Sequence, residues 1–161
     1  MSNLEKTSGL ASEIGKRGDF ANLQQETFLN LMRTQAVLSG EFKQQLFRPN
    51  GISHEKYNVL RILAGEGQPM QIYDIAERMI APSTDISRLI DRLVNSELVA
   101  RKRCEQDGRV VWINLTSKGK TLLKKLAKPV IDLHASQFEN LTPGELQTLN
   151  SLLFKAREGR S

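Results

Sequence analysis

Ala81-Pro82-Ser83-Thr84-Asp85-Ile86-Ser87-Arg88-Leu89-Ile90-Asp91-Arg92-Leu93 is the stretch that decides the fold. Ile86, Leu89, Ile90, Leu93 and Val94 recur every three or four residues, so a helix built here lines one face with them. Thr84, Arg88, Asp91 and Asn95 then point the other way, with Ser87 and Arg92 on the flanks. Pro82 suits the first helical turn, where its missing N–H costs nothing. One apolar side anchors such a helix. The other offers hydroxyls, a carboxylate and guanidiniums, the groups that match base edges in a DNA major groove.

A basic hairpin follows. Leu98-Val99-Ala100-Arg101-Lys102-Arg103-Cys104 leads through Glu105-Gln106-Asp107-Gly108-Arg109 to Val110-Val111-Trp112-Ile113-Asn114-Leu115. The second strand alternates, with Val111, Ile113 and Leu115 on one side, and Asp107-Gly108 supplies residues that tolerate a tight turn. Arg101, Lys102, Arg103 and Arg109 make stem and tip cationic. A polar helix face beside a basic hairpin is the pattern of a winged helix on DNA.

In this pattern residues 51–123 resemble the winged helix-turn-helix of the MarR family of bacterial transcription regulators. The resemblance is carried by Gly51-Ile52-Ser53, Asp74-Ile75-Ala76, Ser87 to Leu93, Leu98-Val99-Ala100-Arg101, Asp107-Gly108-Arg109 and Leu115-Thr116-Ser117-Lys118-Gly119. Six short pieces in the right order and spacing are specific where each alone is weak. The family more often has an arginine at the position of Gly108 and Thr or Ser at that of Gln71. The resemblance implies a homodimer joined through flanking helices, a pseudo-palindromic double-stranded DNA operator and repression. It also implies a small effector, of anionic aromatic type, seated between the dimer helices and the DNA-binding lobe. His54, Tyr57, Arg61 and His134 are the candidates to line that pocket, although ordinary core or surface roles fit each of them as well.

Composition agrees. The chain has 161 residues and a net charge of +5, with 39% apolar and 25% charged residues. Between Arg78 and Lys125 there are 11 Lys/Arg against 5 Asp/Glu, while the remainder holds 12 against 13. The positive excess therefore falls on the winged segment, which points to nucleic acid. No apolar run is long enough for a membrane span and no signal peptide is visible, so the expected location is the cytoplasm. One cysteine and two histidines offer no disulfide, no metal cluster and no catalytic constellation, so no enzyme and no cofactor are expected.

Along the chain, residues 1–19 read as a flexible arm or a short extra helix, and 20–50 as an N-terminal dimerisation helix with an apolar stripe from Phe28 to Leu46. Residues 51–116 read as the winged helix-turn-helix lobe. Residues 117–161 read as C-terminal dimerisation helices. Ser53 should cap a helix to about Ala64, with Ile52 and Tyr57 as a hydrophobic staple. Gln71 should start a short helix through Met79. Thr116 should cap a long helix that Pro129 kinks or splits. Thr142-Pro143-Gly144-Glu145 reads as a capping box with Leu141 and Leu146 as a staple. The architecture is mainly α with a small antiparallel β wing.

The candidate DNA contacts are Ser83, Thr84, Ser87, Arg88, Arg92, Arg101, Lys102, Arg103, Asp107 and Arg109. Arg88 can fork onto a guanine. Arg109 at the hairpin tip suits a narrow minor groove, with Asp107 holding the turn. Arg92, Arg101, Lys102 and Arg103 suit phosphates. Asp85 repels phosphate, so it fits a cap that complements the helix dipole, a pair with Arg88, or a cytosine-amine acceptor. Cys104 sits beside two cations that could lower its pKa, yet reads as an ordinary strand cysteine. The different-class alternative is a dimeric winged-helix protein-interaction module that touches DNA only weakly.

Overall fold

The computed structural model describes residues 9–104 and 110–159. Its secondary structure is mainly helical with one two-stranded antiparallel sheet, the expected class. The chain divides into two compact units, residues 1–42 and 43–161.

In the first unit a short helix α1 (Gly9–Glu13) precedes α2 (Leu23–Glu41). Residues Gly9–Glu13 are helical, within the stretch read as either a flexible arm or a short extra helix. Asn22 caps α2 by accepting from the Gln25 N–H at 2.8 Å, which fixes its start three residues beyond Phe20. Glu13 pairs with Arg33 at 3.2 Å. None of the residues of α2 is buried.

The helix expected within residues 20–50 ends early: α2 gives way to a π-helical turn, Phe42–Phe47, and a 3-10 turn, Arg48–Asn50. Pro49 and the left-handed Gly51 (φ 64°) close it. The second unit then folds around α3 (His54–Glu66), which Ser53 caps through the Lys56 N–H. Ile52 and Tyr57 are both buried, as a staple requires. Gly67 ends the helix at φ 73°, two residues past the expected stop.

Helix α4 (Ile72–Glu77) is shorter than expected, and Gln71 at its N-cap makes no side-chain hydrogen bond. Helix α5 (Ile86–Asn95) brings a correction. It begins at Ile86 with Asp85 as cap, so Pro82 lies outside it and Thr84 sits in the preceding turn rather than on the helix face. The cause is local: the Asp85 carboxylate accepts from the Arg88 N–H at 3.1 Å, and an aspartate that caps holds the chain out of the helix up to that point. Leu89, Ile90 and Leu93 are buried, as the periodicity demands.

Strands β1 (Val99–Arg103) and β2 (Val111–Leu115) pair with Val99 opposite Leu115 and Lys102 opposite Trp112. Ile113, with no exposure, also exchanges both backbone hydrogen bonds with Met70, at 3.1 and 2.8 Å. That third partner was not anticipated, because a single residue between a glycine-rich loop and a helix carries no periodic signal. Helix α6 (Ser117–Gln137) follows, and Pro129 does not split it. Leu126, Val130 and Leu133 are buried. Helix α7 (Pro143–Arg157) starts with a complete Thr142–Glu145 capping box but buries none of its residues, and the expected staple pair, Leu141 and Leu146, is only half-buried.

The tightest joint lies where α6 meets the chain between α5 and β1. Glu97 adopts a left-handed conformation (φ 59°), and the Thr116 hydroxyl lies 2.7 Å from its carbonyl and 3.0 Å from that of Leu98 while accepting from the Gly119 N–H. A Cβ on Gly119 would lie 2.3 Å from the Leu98 carbonyl oxygen and 2.7 Å from Leu115 Cδ1. Only glycine lets the helix come this close. Gly119→Ala is expected to lower stability by about 1–3 kcal/mol, as overpacked sites do. Urea unfolding checks this: the midpoint should fall, and a midpoint equal to the parent's would contradict the packing described.

Lys118 pairs with Glu97 at 2.9 Å and, through that hydrogen bond and its charge, holds the Glu97 carboxyl below its ordinary value of 4.5. A carboxylate with a lowered folded-state pKa supports folding above the unfolded value and loses that support as pH falls through the folded one. Glu97→Gln should therefore weaken the acid-side loss of thermal stability below pH 4.5 relative to the parent. Identical melting-temperature profiles for the two proteins would show that the pair contributes nothing.

Candidate nucleic-acid interface

The apolar face of α5 is clamped from several sides, which leaves its other face to solvent. Asn58 on α3, a buried side chain, accepts from the Ile80 N–H at 3.4 Å and ties down the turn ahead of α5. Glu66 at the end of α3 binds Arg78 just past α4, and that hydrogen bond lowers the Glu66 pKa. Ser87, Arg88, Asp91 and Arg92 are exposed along the outer face of α5. Thr84 is exposed and Ser83 half-buried in the turn that leads into it.

Asp85 has two partners. Besides capping the helix it pairs with the Arg88 guanidinium, Nε to Oδ2 at 3.1 Å. Of the alternatives open at the sequence level, the cap and the pair with Arg88 are therefore both present. The Arg88 side chain is 78% exposed, and an ion pair that open to water contributes at most about 1 kcal/mol. A guanine edge or a phosphate can displace the carboxylate at little cost. The pair holds Arg88 over the first turn of α5 in the meantime.

Arg101 is placed differently from its neighbours. Its Nη1 lies 2.8 Å from Asp91 Oδ1, so the first wing strand is tied to the outer face of α5. Asp91 was legible as an outward residue, but its partner was not, because the two lie ten positions apart on different elements and meet only through the turn at Glu97 that leads from α5 into β1. Lys102 and Arg103 are exposed further along the strand. Asp107 and Arg109 fall outside the described residues, and so does the turn between the strands. Cys104 is half-buried at the end of β1.

Of the residues proposed to line an effector pocket, His54 and Tyr57 share an aromatic neighbour, Phe47. Tyr57 is buried with its ring 5.3 Å from that of Phe47, and His54 stacks on the same Phe47 ring at 5.6 Å. Arg61 and His134 are exposed on α3 and α6. Among the described residues no group of His, Cys, Asp and Glu could hold a metal ion.

Comparison with known proteins bears on this arrangement directly. Residues 41–126 match the transcriptional regulator SarA/Rot family. The chain is also 37% identical to a MarR transcription factor from Planctomyces limnophilus of known structure, over 84% of this chain and 98% of that one, with a TM-score of 0.61. The chain belongs to the SarA/Rot family of transcriptional regulators and is of MarR type. This MarR-type regulator is 28% identical over 137 residues to MgrA, an HTH-type transcriptional regulator of Staphylococcus aureus, covering 85% of this chain and 91% of MgrA. Sco3205, a MarR family regulator from Streptomyces coelicolor solved in complex with DNA, shares the fold at a TM-score of 0.76 and 22% identity, over 89% of this chain and 91% of that one. The regulator is thus of the winged-helix type expected from its sequence, and it is not an enzyme. Among its described residues no helix is long and apolar enough to cross a membrane.

Two substitutions separate the roles of Asp85. Asp85→Ala should remove the cap and lower stability by about 0.5–2 kcal/mol. Asp85→Asn keeps an acceptor for the Arg88 N–H and loses only the exposed ion pair, so its melting temperature should stay close to the parent's. Equal losses in the two variants would show that the ion pair, not the cap, secures the start of α5.

Proposed function

We propose that this regulator binds duplex DNA sequence-specifically as a homodimer and acts as a repressor, working in the cytoplasm on a pseudo-palindromic operator. The observation that carries the reading is the outer face of α5. A short helix firmly seated on its apolar side presents Ser87, Arg88 and Arg92 to solvent, with Thr84 in the turn ahead of it and the cations of β1 beside it. Arg88 reads a base edge in the major groove, while Arg92, Lys102 and Arg103 neutralise phosphates. Arg101, held by Asp91, sets the angle between helix and wing. Arg109 is assigned to the minor groove with Asp107 supporting the turn, on the sequence pattern alone. The DNA complex of Sco3205 supports the general reading by shared fold.

Dimerisation is supported by uncovered apolar surface in each unit. Phe28, Leu31 and Met32 are 62%, 48% and 50% exposed on α2. In the second unit Ile131, Leu152 and Phe154 are 67%, 58% and 66% exposed on α6 and α7. Residues 20–50 and 117–161 are accordingly assigned to the dimer interface and 51–116 to DNA. Two copies of α5 about one helical turn apart, roughly 34 Å, would enter successive major grooves. A small effector seated by His54, Tyr57, Arg61 and His134 would change that spacing. This last element rests on the family resemblance.

The test begins with an operator obtained by in vitro selection on random duplexes. Arg88→Ala should cost about 1–3 kcal/mol of discrimination at one base pair per half-site, and should weaken operator far more than scrambled DNA. Equal weakening of both would remove Arg88 from base reading. In sedimentation the full chain should run as a dimer at micromolar concentration; a well-folded monomer would overturn the assembly proposed.

A further inference from the structure

Four of the 11 Lys/Arg between Arg78 and Lys125 stand on α6 and take no part in the duplex reading above. Residues 117–131 hold Lys118, Lys120, Lys124, Lys125 and Lys128 and no Asp or Glu. Gly119, Leu126, Val130 and Leu133 fix which side of α6 is buried. At about 3.6 residues per turn the opposite side carries Ser117, Lys120, Thr121, Lys124 and Lys128, with Lys125 at its edge. All six are exposed.

Two of the five lysines are paired, Lys118 with Glu97 at 2.9 Å and Lys128 with Asp132 at 2.6 Å. Lys120, Lys124 and Lys125 have no ion-pair partner among the described residues. Their positions are unfavourable for the helix itself. Lys120 stands in the first turn, where the backbone dipole already places partial positive charge, and no carboxylate offsets it there. Lys120, Lys124 and Lys128 follow at four-residue intervals, a spacing at which like charges destabilise a helix. Folding gives no reason for this row. An anion from outside the chain does.

The joint at Gly119 favours one anion over others. Strand β2 ends at Leu115 and α6 starts at Ser117, with the Thr116 hydroxyl against the Glu97 and Leu98 carbonyls between them. The lysine row therefore continues from the base of the wing and is fixed to it. A charged polymer held by the wing reaches the row by running past the half-site. Lys120 and Lys124 lie about 6 Å apart along the helix axis, and the phosphates of one DNA strand advance about 3.4 Å per step, so each lysine meets a phosphate of its own. Ile131, the exposed α6 residue of the proposed dimer surface, lies about 10 Å beyond Lys124 along the axis, so the two surfaces do not compete.

We infer that the exposed face of α6 around Lys120 and Lys124 is a second, sequence-independent DNA contact, which holds the phosphate backbone of the duplex that flanks the operator. The inference rests on the duplex-binding reading above and extends the length of DNA engaged.

Fluorescence anisotropy of the full-length protein on two duplexes tests it. One is the selected operator trimmed to the shortest length that keeps its sequence preference. The other is the same operator extended on each side by one helical turn of arbitrary sequence, about ten base pairs. The parent should bind the extended duplex about tenfold more tightly, with a salt slope steeper by about 0.9 for each phosphate newly neutralised. Lys120→Gln/Lys124→Gln should lose both the gain and the extra slope, and should bind the trimmed operator like the parent. Lys120→Arg/Lys124→Arg, which keeps both charges, should retain them. The inference is overturned if the flanks add nothing for the parent, if the glutamine pair keeps the gain, if it weakens both duplexes alike, or if the arginine pair also loses the gain. Flanks that add nothing, together with polyglutamate that binds the parent and not the glutamine pair, would assign this face to an acidic protein instead. No binding of the parent to the trimmed operator would remove the duplex reading and this inference with it, whereas binding without a gain from the flanks removes this inference alone.

Discussion

The close approach of Gly119 to the Leu98 carbonyl is the constraint on which the rest of the DNA-binding unit depends. At that point three elements are joined within a few residues. Helix α5 ends, the chain turns through left-handed Glu97 into β1, and α6 starts against the same backbone. The Thr116 hydroxyl serves both sides of the joint, contacting the Glu97 and Leu98 carbonyls and capping α6. The wing can therefore hold a fixed position beside α5 only while α6 is seated, and the outer face of α5 owes its placement to a glycine some thirty residues away.

On the outward side the fixed frame is met by softer contacts. Exposed ion pairs such as Asp85–Arg88 contribute little to stability, which is why they suit an interface that must exchange them for DNA. Asp91–Arg101 differs in spanning two elements. It ties Arg101, one of the candidate phosphate contacts, to the outer face of α5.

Much of this was legible in the sequence because it is written in short-range patterns. The spacing of Ile86, Leu89, Ile90 and Leu93 identified the inner face of α5, and the alternation of β2 placed Ile113 in the core. Ser53, Thr116 and Thr142 were recognisable as caps because capping chemistry is local. Other features were not legible. Pro82 looked like a helix start, but the Asp85 carboxylate captured the Arg88 N–H and moved the start to Ile86. The Met70 bridge to Ile113 joins residues far apart in sequence and appears only once the wing has folded back, while the Asp91–Arg101 pair depends on the turn from α5 into β1. Phe28 and Leu152, on the stripes read from the sequence, are both exposed in the single chain.

The central claim is that the exposed face of α5 and the cations of the wing bind duplex DNA with sequence preference. Fluorescence anisotropy on a selected operator and a scrambled duplex, titrated with salt, tests it most directly. Electrostatic release of counterions predicts a logarithmic affinity that falls linearly with the logarithm of salt, with a slope of about −0.9 per phosphate neutralised on both duplexes. Base reading predicts, in addition, tighter binding to the operator at every salt concentration. Parallel lines separated by a constant preference for the operator are the expected result. Absence of binding, a slope near zero, or superimposed lines for the two duplexes would contradict the account.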